Sequence, residues 1–136
     1  MKIEFTPKQY RRLLDLVYIG NWILNSTRGS DRIADYDEVE SYLFAKSKDF
    51  KMPTLAETAA GEVIPSQAFS EGGIHEAIMD YEDTVFFEIL AEELAHRDMY
   101  NMGIAPDPEE LASRINAYIA EFEQNGISNL LVDADI

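Results

Sequence analysis

The stretch Tyr81–Met102 constrains the fold most, because it is the longest strongly periodic segment in the chain. At about 100° per residue, Phe87, Leu90, Ala91, Leu94, Ala95 and Met102 fall on one side of a helix. Glu88, Glu92, Glu93, His96 and Arg97 fall on the other. That is an amphipathic helix whose apolar side requires a core to bury against.

The remaining segments are patterned to supply that core. Thr6-Pro7-Lys8-Gln9 has the composition of a helix start: a capping hydroxyl, proline at the first helical position and a glutamine placed to close a capping box. It predicts a first helix from about Pro7 to Asn25 with a stripe of Tyr10, Leu13, Leu14, Val17 and Leu24. A second apolar face carries Tyr18, Ile19 and Trp22. Either the domain covers it, or it forms a homodimer contact, for which Trp and Tyr are favoured anchors. Asn25–Asp31 is a turn, with Gly29 available to end the helix. Asp35–Glu38 predicts a second helix start, followed by a ridge of Val39, Leu43, Lys46 and Phe50.

Residues 51–73 are the least regular. Pro53 stops the second helix, Pro65 keeps Glu62–Pro65 out of any central strand, and Gly72-Gly73 closes the segment. It is expected to be an arm or lid pinned by Val63, Ile64 and Phe69. A short helix over Ile74–Asp80 then leads into the central one. Asp107-Pro108-Glu109-Glu110 opens a last helix with a stripe of Leu111, Ile115, Tyr118, Ile119 and Phe122, and Gly126 is placed to cap its end. Ile3–Phe5 and Asn129–Asp133 have the pattern for a small terminal β-strand pair. The expectation is a mainly α fold in one domain, residues 1–136. It is a compact bundle of about four principal helices packed around residues 83–102, with a long irregular segment at about 51–73.

At 136 residues the chain is long enough to bury roughly two-thirds of its unfolded surface. An apolar fraction of 46% argues against disorder. The absence of cysteine excludes disulfides, thiolate metal sites and cysteine nucleophiles. No signal-peptide core opens the sequence, and the apolar run Leu13–Leu24 is broken by Asp15, Gly20 and Asn21. A soluble cytoplasmic protein is therefore expected, without membrane contact. The formal charge of −15, from 26 acidic and 11 basic residues, opposes direct binding to nucleic acid or anionic lipid. The acidic surface either keeps the protein in solution or meets basic partners, including the basic groove of a nucleic-acid-binding protein for which it would act as a decoy.

Two constellations carry candidate chemistry. Glu88, Glu92 and His96 stand four residues apart on one face, and two carboxylates with an imidazole, joined by His75, form an acceptable set for a divalent metal. Glu93 and His96 also have the Glu-x-x-His spacing of carboxylate-bridged di-iron bundles, but such a site requires a second copy of that motif and two further glutamates. The alternative is an exposed acidic face. The second constellation is Asp98, which shares the strip of Phe87, Ala91 and Leu94 with Asn101 following. A carboxylate there needs donors, and Arg97, Arg28, Arg32 or Asn21 are available. It forms either a polar clamp between the first and central helices or the lining of a small pocket. No catalytic residue set, phosphate loop or nucleophile elbow is recognised.

The blocks Thr6-Pro-Lys-Gln-Tyr10 into Leu16-Val-Tyr-Ile-Gly-Asn-Trp22, and Tyr81-Glu-Asp-Thr-Val-Phe-Phe-Glu88 into Leu94-Ala-His-Arg-Asp98, resemble a family of small uncharacterised acidic bacterial proteins. The resemblance implies a soluble bacterial protein and carries no activity, cofactor or site residue. A non-enzymatic binding or regulatory protein acting through protein–protein contacts is the first functional expectation. The alternatives are a metal-binding protein or enzyme using the face of residues 83–102, and the acidic decoy.

Overall fold

A computed structural model describes residues 1–136. Contacts gather into two compact units, Met1–Ile78 and Met79–Ile136. The architecture is mainly α, with four principal helices and one small antiparallel strand pair. No helix is long and apolar enough to cross a membrane.

The first unit opens with α1 (Pro7–Asn25). Its start is the capping box anticipated from sequence: Gln9 N–H donates to Thr6 Oγ1 at 3.2 Å, and Thr6 N–H donates to Gln9 Oε1 at 2.9 Å. A turn leads to α2 (Ala34–Phe44), which ends six residues before the predicted limit at Phe50. A run of turns replaces its expected last turns, with Lys51 in the left-handed region. The apolar phase of α2 also differs from the predicted ridge. Phe44 is the fully buried residue and Val39 is exposed. Leu43 and Phe44 are adjacent, so the sequence offered two equally apolar phases, and packing selected the larger side chain.

The irregular segment contains the strand pair. β1 (Ala56–Ala59) and β2 (Glu62–Pro65) are antiparallel, with Ala56 opposite Pro65 and Ala59 opposite Glu62. Ala60 and Gly61 form the two-residue turn, both with positive φ of 51° and 79°, as the twist of a tight hairpin requires. Residues 3–5 and 129–133 are not strands, so the small β element lies inside the chain and not at its termini. Pro65 is accommodated because each strand of a two-stranded sheet is an edge. A single turn, α3 (Gln67–Phe69), follows. It inserts Phe69 between α1 and α2 as part of a core of Tyr10, Leu14, Phe44 and Phe69. Phe69 packs edge-on against Phe44. Tyr10 stacks on Phe50 at 4.0 Å and donates its hydroxyl to Leu43 C=O at 2.6 Å. Burial first, and Asp49 second, push the Tyr10 phenol up to about 12.

Gly73, with φ 103°, breaks the backbone before α4 (His75–Asn101). The predicted short helix at 74–80 and the central helix are thus one continuous element. The first turn of α4 belongs to the first unit. The rest belongs to the second, together with α5 (Pro108–Asn125). Asp107 caps α5 by accepting from Glu109 and Glu110 N–H, and Gly126 ends it with φ 56°. Ala91 and Leu94 of α4 bury against Phe122 of α5, with Phe87, Leu90, Ile115, Tyr118 and Ile119 around them. The predicted stripes meet through Phe87, Leu90, Ala91 and Leu94 of α4 and Ile115, Tyr118, Ile119 and Phe122 of α5, while Met102 is exposed. The apolar residues nevertheless form two clusters and not one around residues 83–102. The first is built entirely without that stretch.

Candidate functional site

In the first unit a cleft of about 560 Å³ opens between α1, α2 and β2. Its polar frame begins on α1, where Asn21 and Asn25 are buried one turn apart. Asn25 makes three hydrogen bonds. Its Nδ2 donates to Asn21 Oδ1 at 2.8 Å and to Ile33 C=O at 3.0 Å, and its Oδ1 accepts from Ile33 N–H at 2.8 Å. Ile33 is the residue that precedes α2, which has no side-chain cap of its own. Asn25 therefore reaches from α1 to satisfy the backbone of the residue just before α2.

Asn21, held by Asn25, donates to Asp37 Oδ1 at 3.0 Å. Arg32 forks onto the same carboxylate through Nε at 2.6 Å and a terminal nitrogen at 2.7 Å. This planar two-point contact is the geometry for which arginine is suited. The Arg32 hydrogen bonds hold the Asp37 carboxyl below its ordinary range against the opposing effect of burial, and Asn21 adds to the lowering. One turn further along α2, half-buried Glu40 has no ion-pair partner, because Arg32 is committed to Asp37. Burial raises the Glu40 carboxyl above its ordinary range. The Asn21 amide pulls it down, neighbouring Asp37 raises it, and Arg32 lowers it.

Aromatic residues of α1 line the same cleft. Tyr18 and Trp22, four residues apart on α1, stack with centroids 6.3 Å apart. Tyr18 Oη is hydrogen-bonded to His75 Nε2 at 2.6 Å, and its ring meets Phe69 edge-on. Trp22 packs against the His75 ring at 4.7 Å. Burial, then the charge of Glu40, raises the Tyr18 phenol. Glu62 and Val63 of β2 contribute to the remaining wall.

The residues singled out from sequence are distributed differently from expectation. Tyr18 and Trp22, offered with Ile19 as a face either covered by the domain or forming a homodimer contact, pack on each other and on His75 within the first unit, with Trp22 still 37% exposed. The strongly exposed apolar residues of α1 are Leu16 and Ile23. His75, assigned to a metal set, is committed to Tyr18 and Trp22. Glu92 and His96 pair at 3.8 Å on an exposed face, but no three His, Asp or Glu side chains come together to hold a metal ion. Glu88, Glu92, His96 and His75 are therefore not gathered into one ligand group: helical spacing brings Glu92 and His96 together only as a pair. Glu88 lines a smaller cleft of about 320 Å³ in the second unit with Phe87 and Phe122.

The clamp around Asp98 resolves into two networks. Asp98 accepts from Arg97 at 2.7 and 3.0 Å and from the hydroxyl of Tyr118 on α5. The Tyr118 hydrogen bond, then the Arg97 contacts, hold the Asp98 carboxyl below its ordinary range against partial burial. Asn21 instead serves Asp37, Arg28 pairs with Asp31, and Asn101 is exposed. The apolar stripe of α5 did not reveal the polar role of Tyr118, Arg32 serves Asp37 and not Asp98, and sequence reasoning missed Asn25, Asp37 and Glu40. The available signal was Asn21 and Asn25 themselves, two amides at helical spacing beside the apolar stripe of α1.

No protein-family model, no curated protein and no solved structure matches this chain.

Proposed function

We propose that this chain is a non-enzymatic binding or regulatory protein that acts through protein–protein contacts, with the cleft of the first unit as the contact site. The observation that carries this reading is the cleft's construction. A polar frame fixed by buried asparagines and the aromatic rings of Tyr18 and Trp22 line it together, and the volume of about 560 Å³ lies within the range of ligand-binding pockets. Ser26, Ser41 and Ser70 line it, and none is hydrogen-bonded to a histidine or carboxylate that would activate it as a nucleophile. His75 touches Tyr18 and Trp22 without lining the cleft itself. The arrangement suits holding a group in place better than transforming one.

The test is site-specific photo-cross-linking in lysate of the source organism. A cross-linker at Ser26, on the cleft, is expected to give a discrete protein adduct. One at Glu38, exposed on α2 outside the cleft lining, is expected to give none. Equal adducts at both positions, or none at either, would refute the reading.

A further inference from the structure

The cleft carries information about what it binds. Its only cation, Arg32, is neutralised by the two-point contact with Asp37. What remains open is the Glu40 carboxylate, half-buried and without an ion pair although the Asn21 amide approaches it, the exposed Glu62 carboxylate on the β2 side, and the partly open ring of Trp22. A carboxylate withdrawn from water without a counter-ion is unfavourable. A cation seated beside it removes that penalty. An aromatic face lining the same cleft attracts the same kind of group, arginine above all, because the guanidinium is flat, weakly hydrated and able to stack while it donates in its plane. The first unit already uses this contact internally, with the Arg11 guanidinium 4.9 Å from the centre of the Phe69 ring. The chain's charge of −15 draws cationic partners towards it at long range.

Resting on the protein-binding reading above, we infer that the cleft receives an arginine side chain presented by the partner protein. The guanidinium stacks against Trp22 and donates to Glu40. Asp37 and Arg32 form the fixed frame and are not contacts for the incoming group.

Trp22 is the only tryptophan of the chain, so its fluorescence reports occupancy of the cleft directly. The full chain is titrated with a short capped peptide carrying one central arginine, with the same peptide carrying citrulline, and with agmatine. Citrulline keeps the shape of arginine and lacks its charge. The expected result is a saturable change in Trp22 emission with the arginine peptide. Binding is expected to be at least about ten-fold weaker for citrulline, a difference typical of losing one charged hydrogen-bonded contact. Glu40→Gln is expected to weaken the arginine peptide by a similar factor, and to leave the citrulline peptide unchanged. Citrulline binding as well as arginine, no response to the arginine peptide, or an undiminished response in Glu40→Gln would each overturn the inference. Agmatine matching the peptide would overturn its protein-borne source and make the cleft a site for free cations. The Ser26 adduct separates the two readings. An adduct that persists while the arginine peptide fails removes only the arginine inference, whereas loss of the adduct removes the protein-binding reading as well.

Discussion

Asn25→Ala tests whether the cleft's frame is held as described. The wild-type side chain is 1% exposed and makes three hydrogen bonds of 2.8, 3.0 and 2.8 Å. Each such bond contributes about 1 kcal/mol net when made, and more is lost when a buried partner is left unsatisfied. Alanine removes all three, and leaves the Ile33 N–H and C=O to find water at the start of α2. The expected cost is about 2–4 kcal/mol, a large share of the roughly 5–15 kcal/mol that stabilises a domain. Urea unfolding followed by Trp22 emission reads the first unit, since the fluorophore lies on α1 less than one turn before Asn25. Two further variants sharpen the test. Asn25→Leu restores the volume without the hydrogen bonds, and should remain destabilised. Asn25→Asp keeps the acceptor for Ile33 N–H, but places an acceptor against Asn21 Oδ1 and Ile33 C=O, and should not rescue. A cost under about 1 kcal/mol for alanine, or wild-type stability for leucine, would show that α1 and α2 are joined by apolar packing and that the asparagines are incidental.

Two other predictions concern charge. The Glu40 carboxyl is raised by burial, so the folded chain binds its proton more tightly than the unfolded chain. Ionised Glu40 therefore destabilises the fold above the ordinary glutamate range of about 4.3. Glu40→Gln should raise the midpoint of thermal unfolding at neutral pH, and the gain should shrink as pH falls through that range. A gain that persisted below it would assign the effect to something other than the charge. The Asp98 carboxyl is lowered, chiefly by Tyr118, so its contribution is present above the ordinary aspartate range of about 3.9 and is lost as pH falls through the depressed folded value. Tyr118→Phe should cost about 1–3 kcal/mol at neutral pH, less in acid, and return the Asp98 titration observed by NMR towards its ordinary position. An unshifted titration would remove Tyr118 as the cause.

The parts of this fold evident from sequence are those where local and long-range signals agree. The capping box at Thr6 and Gln9, the proline at position 7 and the stripe beginning at Tyr10 all place α1 at the same residues, and the structure puts it there. The stripe of α5 and that of α4 are complementary, and they pack together. The hairpin was hidden because Ala56-Glu57-Thr58-Ala59 has weak β-propensity and Pro65 argues against a strand in any interior position. Only its turn conformation at Ala60-Gly61 makes the pairing evident. The polar network was hidden for a different reason. Periodicity records which residues avoid water together, whereas Asn25 reaches the backbone of Ile33 and Arg32 reaches Asp37 across a turn. Those partnerships leave no repeat in the sequence.

This separation of roles gives the site its most discriminating signature. Asn25, Asn21, Asp37 and Arg32 satisfy one another and fix where α2 begins relative to α1. Glu40 stands one turn beyond them and is left out of their ion pair. A residue retained only for folding would be expected to lower stability when replaced, and Asn25 should do so. A charge held half-buried for a ligand does the opposite: its neutral isostere folds more stably and binds more weakly. Opposite signs in the same variant are therefore the informative result, because loss of structure lowers stability and binding together, and a surface charge without a role changes neither.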